Sequence, residues 1–339
     1  MITEGAITVD IEEADIPSKE MDVFYNPHMQ RNREVSLLLA NHFSQFKTWY
    51  FPLAGSGIRA LRLVKEAGVE GTVTVNDKRP SFPKQFEKTR VNNDVKDVFS
   101  VYTMDARELT FTIPSFSFVD LDPYGSPNKF LDSILQKTRH EGVACITATD
   151  TAPLCGTYPK TCQRKYWAKP KRNVMMKEYG LRILIRKCQL VAAQHSRALL
   201  PLICYAGRHY FKCCFRCVKS KTLADKVLSK HSFIKDIGPL WTGELCSLSL
   251  LQSLDYSLVS SETEDFMQSL LEESEIGTFG FYDIHALSSE LKLRETPSYK
   301  SVAKRIKEKG SICKTHFSEN GFKTTLSEKE VLNVFRAFD

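Results

Sequence analysis

Residues 118 to 127 read FVDLDPYGSP, an apolar run that ends in two carboxylates, a proline and a tyrosine. Strand interiors rarely hold Asp, so Asp120 and Asp122 are either tolerated at a strand end or put there to act. Asp122, the carbonyl of Pro123 and the ring of Tyr124 suit one chemistry. An oxygen acceptor and a backbone carbonyl can hold the N–H groups of an exocyclic amine while an aromatic face holds the flat base that carries it. Asp122 is favoured over Asp120 because it directly precedes Pro123 and Tyr124. Asp120, two residues back on the same strand face, lies deeper and is expected to support a neighbouring loop.

Three further strand ends carry candidates. In AGSGIRA, Gly55 and Gly57 let the backbone turn tightly and approach a ligand closely. This G-x-G-x-x-A pattern also fits a dinucleotide fingerprint. Asp77 in VND follows about 20 residues on, placed like the acid that accepts both hydroxyls of an adenosine ribose. Asp105 and the Ala106 backbone, in MDA, end the next strand and could meet an adenine. A glycine turn and two acids at adjacent strand ends point to an adenosine-containing ligand. A nicotinamide-dependent oxidoreductase is the rival enzyme reading, but no hydride-transfer site is visible and the DPY stretch would go unexplained.

These residues need a scaffold that gathers strand ends. A strand at Ile7 to Ile11 and a helix over 30–46 precede TWYFPLAGSGIRALRLVKEAG, which reads as strand, glycine turn and helix. The alternation continues with TVTVND as strand, PKQFEKTRVNND as helix, FSVYTMDA and FSFVDLD as strands, KFLDSILQKTRHEG as helix and VACITATD as strand. A helix near 174–198 leads to LPLICYAG and RHYFKCCFRCVKS, two closing strands paired antiparallel. Strands alternating with helices predict an α/β fold on a mostly parallel, doubly wound sheet, whose ligands sit beyond the carboxyl ends of the strands. This domain is expected to end near Ser220. Residues 221–339 differ in texture, with an acidic helical region near 254–275, a helix in SYKSVAKRIKEKG and a hairpin in SICKTHFSENGFKTT, and predict a smaller α+β domain.

The 339 residues are 42% apolar and 26% charged, enough for two domains with their own cores. The net charge of +7 is unevenly spread. Residues 158–190 hold ten Lys or Arg against Glu178 alone, 236–291 hold eleven acids and no Lys or Arg, and 292–316 hold eight basic residues against two acids. Such segregation points to a polyanion partner. Tyr158, Tyr166 and Trp167 lie among Lys160, Arg164, Lys165, Lys169, Lys171 and Arg172. Aromatics among cations favour nucleic acid, since they offer stacking beside charge. Of the ten cysteines, only CCFRC (213–217) is clustered; Cys214 and Cys217 lack a second pair at ribbon spacing, so reduced core cysteines are expected rather than zinc. The N-terminal residues lack a basic start before an apolar core, and no stretch approaches the roughly 18 apolar residues of a membrane helix. An intracellular protein is expected, cytoplasmic or, in a eukaryote, nuclear.

The resemblance to one family is then plain. VFYNPHMQRNRE (23–34), LAGSGIRALR, VND, DA, FVDLDPYGSPNKFLD, TATDTAPLCG (147–156), KEYGLRIL (177–184), GPLWTGEL (238–245), FYDIHAL (281–287) and THFSENGFKT (315–324) follow in order along nearly the whole chain. The chain resembles the tRNA guanine-N2 dimethyltransferases, which use S-adenosylmethionine to methylate the guanine at tRNA position 26. The resemblance implies a class I, Rossmann-like methyltransferase sheet, mostly parallel with an antiparallel closing strand, and a C-terminal domain that helps hold tRNA. It implies that Arg33, Arg59, Asp77, Asp105 and Ala106 line the methyl-donor site, that Asp122 acts on the base, and that Tyr124 and Phe24 stack on it. Three departures are visible. Phe51 stands where the family's strand usually ends in Asp, and Lys177 where it often has His. Residues 219–237 are short and lack cysteines where some members carry a zinc-binding insert, so no metal is expected. A tRNA-binding protein with a decayed methyltransferase fold, the non-enzymatic alternative, draws on the first departure.

Overall fold

In the computed structural model of the chain, residues 1–10 and 25–338 are described. Ile11 and Phe24, named above, lie outside them. A short hairpin, β1 (Ile2–Glu4) and β2 (Ile7–Val9), comes first, followed by α1 (Gln30–His42). The alternation then runs β3 (Thr48–Phe51), α2 (Ile58–Glu66), β4 (Thr72–Asn76), α3 (Phe82–Asn92), β5 (Phe99–Tyr102), α4 (Ala106–Thr112), β6 (Phe116–Leu121), α5 (Asn128–Lys137) and β7 (Thr138–Ala148). After α6 (Thr151–Leu154), α7 (Pro159–Tyr166) and α8 (Met176–Gln194), the sheet is completed by β8 (Arg197–Ala206) and β9 (Phe211–Lys219).

The seven strands lie in the order β5-β4-β3-β6-β7-β9-β8. The pairings of β3 with β4 and β6, of β4 with β5 and of β6 with β7 are parallel. β9 slots between β7 and β8 and runs antiparallel to both. The α/β expectation therefore holds, and the last of the seven strands in chain order sits inside the sheet rather than at its edge. One boundary differs from the periodicity. Thr138 to Gly142, joined above to the preceding helix, open β7, because Thr138 adopts extended dihedrals at the end of α5 and the ladder with β6 slips between Phe116 and Phe118 to accommodate the extra residues.

Alternation along the strands makes two cores. Tyr50, Val119, Leu121, Ala144, Ile146 and Phe215 face one way with residues of α4, α5 and α8. Trp49, Phe51, Phe118, Val143 and Cys145 face the other way with residues of α1, α2 and α3. On β6 the odd-numbered Val119 and Leu121 belong to the first face, so Phe118 and Asp120 point toward α1 and α2.

Cys213 and Cys217 fall in the first core and Cys214 in the second, so Cys214 and Cys217 point to opposite sides of β9 and cannot share a metal. Among the described residues no group of His, Cys, Asp or Glu could hold a metal ion. Cys145 on β7 and Cys214 on β9 are directly opposed and joined in a disulfide, which corrects the expectation of reduced cysteines at that pair. The pair sits at a cross-strand position where two Cα atoms come 4.0 Å apart. The other eight cysteines are free.

Beyond Ser220, α9 (Lys221–Leu228) and the hairpin β10 (His231–Ile234) and β11 (Ile237–Trp241) pack on α8 and β8. Then come α10 (Leu248–Ser253) and the acidic α11 (Ser261–Ile276). The final part holds β12 (Tyr282–Asp283), α12 (Ile284–Leu291), α13 (Tyr299–Lys307), β13 (Ile312–Thr315), β14 (Ser318–Thr324) and α14 (Glu328–Arg336). Its three strands pair antiparallel in the order β12-β14-β13. Its own core is built on Ile284, Val302, Ile306, Phe322, Val331 and Phe335. No helix among the described residues is long and apolar enough to cross a membrane.

Candidate active site

The strand ends are tied together by one buried side chain. Asn76, at the end of β4, donates from Nδ2 to the carbonyls of Pro52 (2.9 Å) and Met104 (3.1 Å) and accepts from the Met104 amide at 3.0 Å. It thereby pins the loops after β3 and β5 to β4. In the loop after β3, Gly55 and Gly57 both take positive φ, 59° and 78°. A Cβ on Gly57 would run into the Phe86 ring, so only glycine fits that turn. Asp77 accepts from the Gly55 amide at 3.0 Å and, through its other oxygen, from Arg79 N at 3.1 Å and Nε at 2.9 Å. Asp105 caps α4 by accepting from the Arg107 amide at 2.8 Å, directly before Ala106. Its hydrogen bonds with the Arg107 side chain and amide hold its carboxyl down at about 2.

Deeper in the sheet, Asp120 is 2% exposed and lies under α1 and α2. Its Oδ2 accepts from Arg59 Nη1 and Lys212 Nζ, each at 3.0 Å, and from the Ser36 hydroxyl. Asp120 thus holds two helices and β9 rather than a loop. Arg59 spans the two acids of the DLD stretch: its Nη1 lies against Asp120 and its Nη2 donates to Asp122 Oδ2 at 2.5 Å. Burial would raise the Asp120 carboxyl, yet the charges of Arg59 and Lys212 outweigh it and keep it low. At Asp122 burial wins over Arg59, and the carboxyl is pushed up. Asp122 is therefore the more basic of the two, the property a proton acceptor would need.

Arg33, on the same helix as Ser36, is bound to Glu4 of the β1–β2 hairpin and reaches the Asn26 carbonyl at 3.1 Å. A cavity of about 490 Å³ brings most of these groups together. Arg33, Gly55, Arg59, Asp120, Asp122, Pro123 and Tyr124 line it, with Phe51 and Leu53 supplying apolar wall. Gly57, Asp77, Asp105 and Ala106 are not in its lining. Tyr124 is 62% exposed beside Gly125, whose amide is held by the Thr149 hydroxyl at 2.7 Å. Tyr25, Asn26, Asp150, Arg208 and His209 also line the cavity without having been singled out in the sequence. Lys212, Asn32 and Ser36 were missed as well. The one available signal was a lone Lys inside the apolar run YFKCCF.

The basic segment divides in two. Lys160, Arg164, Lys165, Lys169, Lys171 and Arg172 are exposed on and after α7, with Tyr158 and Trp167 beside them. Arg182 and Lys187 turn inward instead: Arg182 bonds Glu178 and the Gly243 carbonyl, and Lys187 rests on the Trp167 ring.

Residues 5–237 and 232–336 match the family described as N2,N2-dimethylguanosine tRNA methyltransferase. The chain belongs to that family. It is 32% identical to the tRNA (guanine(26)-N(2)/guanine(27)-N(2))-dimethyltransferase of Aquifex aeolicus, over 98% of this chain and 94% of the relative. It is 30% identical to the tRNA (guanine(26)-N(2))-dimethyltransferase of Methanocaldococcus jannaschii, over 98% of both chains. Among solved structures it is similar to Trm1 from Pyrococcus horikoshii in complex with S-adenosyl-L-methionine, with a TM-score of 0.85, 26% identity and 98% of each chain covered. A match over both parts of the chain means that the family likeness extends beyond the nucleotide-binding sheet to the C-terminal strands and helices.

Proposed function

We propose that Asp122, with the Pro123 carbonyl, holds the exocyclic amine of a tRNA guanine and takes up its proton during methyl transfer. The chain is an S-adenosylmethionine-dependent tRNA (guanine-N2) dimethyltransferase that acts at position 26 and gives N2-methyl- and N2,N2-dimethylguanosine. The carrying observation is Asp122 itself, at the end of β6 on the wall of a cavity shared with the glycine turn, with Arg59 holding one of its oxygens.

The residues present suit the methyl donor. Asp77 offers a carboxylate for ribose hydroxyls, Asp105 and Ala106 an edge for adenine, and the Gly55–Gly57 turn an open backbone. The buried Oδ1 of Asp120 has no hydrogen-bond partner among the described residues although Asp120 lines the cavity, which leaves an acceptor oxygen beside the site. Arg33 and Arg59 are read as flanking the same ligand. When bound, the donor supplies a methyl group on a sulfonium whose charge is neutralised on transfer.

Guanine N2 is paired or stacked in folded RNA, so the nucleotide must be extruded to reach the cavity. Its lone pair is delocalised into the ring, which makes it a poor nucleophile. Asp122 and the Pro123 carbonyl orient the two N–H groups, and the carboxylate accepts the proton that leaves. Tyr124 stacks on the base; Phe24 is assigned the same role from the family likeness alone. Lys160, Arg164, Lys165, Lys169, Lys171 and Arg172 are read as phosphate contacts, and residues 221–339 as a domain that helps hold tRNA. No metal takes part in this reading, and the protein works where tRNA is made and matured, in the cytoplasm or a nucleus. Family membership removes the ground for the oxidoreductase reading, which rested on the glycine turn alone.

Asp122→Asn keeps the size of the side chain but cannot usefully accept a proton. Single-turnover methylation of tRNA should slow by about 10²–10⁴-fold while donor affinity is largely kept. Near-parental methyl transfer would remove Asp122 from catalysis, and loss of donor binding would assign it to the cofactor.

A further inference from the structure

Lys212 is fully buried in β9, where a charged ammonium is costly unless its surroundings compensate it. It cannot reach RNA, and nothing in the reaction described so far uses it. Its Nζ meets three acceptors: Asn32 Oδ1 at 2.9 Å, Ser36 Oγ at 2.9 Å and Asp120 Oδ2 at 3.0 Å. Three acceptors match the three N–H donors of the ammonium form. Arg59 Nη1 lies against the same three atoms, at 2.8 Å, 2.8 Å and 3.0 Å. Two cations therefore converge on Asp120, and only one of them, Arg59, extends further to reach Asp122.

We infer that Lys212 is a positioning residue that neutralises Asp120, so that Arg59 is left to hold Asp122 as an ionised acceptor aimed at the amine. With Lys212 and Arg59 positive and Asp120 and Asp122 negative, the cluster is neutral. Without Lys212 it carries a net negative charge, which favours a proton on Asp122 or draws Arg59 back toward Asp120. Either outcome disables the acceptor. Burial brings Lys212 itself down to about 8, so the ammonium is present at neutral pH and lost in mild alkali.

Most of the other groups facing the cluster are neutral or paired. On β7 and β8 the register neighbours of Lys212 are Thr147 and Tyr205. The Tyr205 hydroxyl lies 3.3 Å from that of Tyr210, and burial pushes both phenols up, so they stay neutral. On α1, Arg33 is matched by Glu4 and Arg31 by Glu262. Across the cavity stand Asp150, which is paired with Lys165, and Arg208 and His209 of the β8–β9 turn.

The inference rests on the reading of Asp122 given above, and its test separates the two. Single-turnover methylation of tRNA is measured against pH, at saturating S-adenosylmethionine, in the parent, Lys212→Met, Asp120→Asn and the double variant. The acid limb of the rate should rise in Lys212→Met by on the order of one to two pH units, because the cluster becomes negative. It should fall by a similar amount in Asp120→Asn, where the cluster becomes positive, and return near the parental position in the double variant. A structural role for Lys212 would lower rates without moving the limb in opposite directions, and limbs that stay fixed or move together overturn the inference. If Lys212→Met does not fold, the fall in Asp120→Asn and its reversal in the double variant still decide it. Asp122→Asn is run in parallel. Parental turnover there sinks the reading of Asp122, whereas slow turnover with unmoved limbs in the other variants sinks only the role of Lys212.

Discussion

Asp77, proposed to meet the donor ribose, also acts on the turn: one carboxylate oxygen fixes the Gly55 amide and the other holds Arg79, whose guanidinium in turn reaches the Gly55 carbonyl. Asp77→Ala removes both the hydroxyl acceptor and the anchor of the turn. We expect donor binding to weaken by about 1.5–3 kcal/mol, the loss of charge-assisted hydrogen bonds. Titration calorimetry checks this, and unchanged affinity in a folded variant would take Asp77 out of the donor site. The positions of Asp77, Asp105 and Asp122 at the ends of strands were legible in the sequence because each follows an apolar strand within a few residues, a purely local pattern. Lys212 was not, because its charge is answered by Asp120 and Asn32, 92 and 180 residues away in the chain. Asp120 was seen to lie deeper than Asp122, but its partners on α1, α2 and β9 depend on how those elements pack. Phe51, where the family usually has an acid, is 3% exposed and packs near Phe118, giving the cavity an apolar wall at that point.

At the level of elements, α1 and α2 are locked to the N-terminal hairpin by Glu4. Its carboxylate accepts from Arg33 Nε at 2.8 Å, Arg62 Nη1 at 2.7 Å and the Tyr25 hydroxyl at 2.9 Å, all in a buried setting. Burial alone would raise Glu4, but the hydrogen bonds and charges of Arg33 and Arg62 take it down to about 2. A folded value below the unfolded one means stability that is present above the unfolded pKa and lost as pH falls through the folded one. Glu4→Gln should cost on the order of 3 kcal/mol near pH 7, and the gap to the parent should close as pH falls from about 5 toward 2. Denaturant unfolding of both proteins at several pH values checks this; a gap that is absent at neutral pH, or that widens in acid, contradicts it. The alternation of strands and helices was readable because each element carries its own period. The insertion of β9 between β7 and β8 was not, since chain order says nothing about which neighbour a closing strand selects. The early start of β7 escaped for a related reason: TRHEG has no apolar period and is tied to the sheet through Thr138, opposite Phe116 of β6, and Gly142, opposite Cys217 of β9.

Across the whole molecule, charge is sorted by use. Arg182 and Lys187 belong to the interior, whereas the six basic residues from Lys160 to Arg172 face solvent, and the pairs Lys169 and Lys171 make with Asp236 are exposed and weak enough to give way to phosphate. Composition showed that the segment is basic, but not which cations point out, because helix α8 buries one side of its charges. tRNA affinity should fall with salt, and replacing Lys169, Lys171 and Arg172 together should lower the slope of that dependence by roughly 0.7–0.9 per lost contact. Binding titrations over a range of salt concentrations measure it, and a slope equal to the parent's would make this run a solvated face only. The chemistry itself is tested most directly by mass spectrometry of nucleosides from tRNA incubated with the protein and S-adenosylmethionine, using the parent and Asp122→Asn side by side. We expect N2-methyl- and N2,N2-dimethylguanosine with the parent and a product level reduced by about two orders of magnitude or more with Asp122→Asn at early times. Unmodified guanosine with the parent, or methylation at another atom, would contradict the assignment.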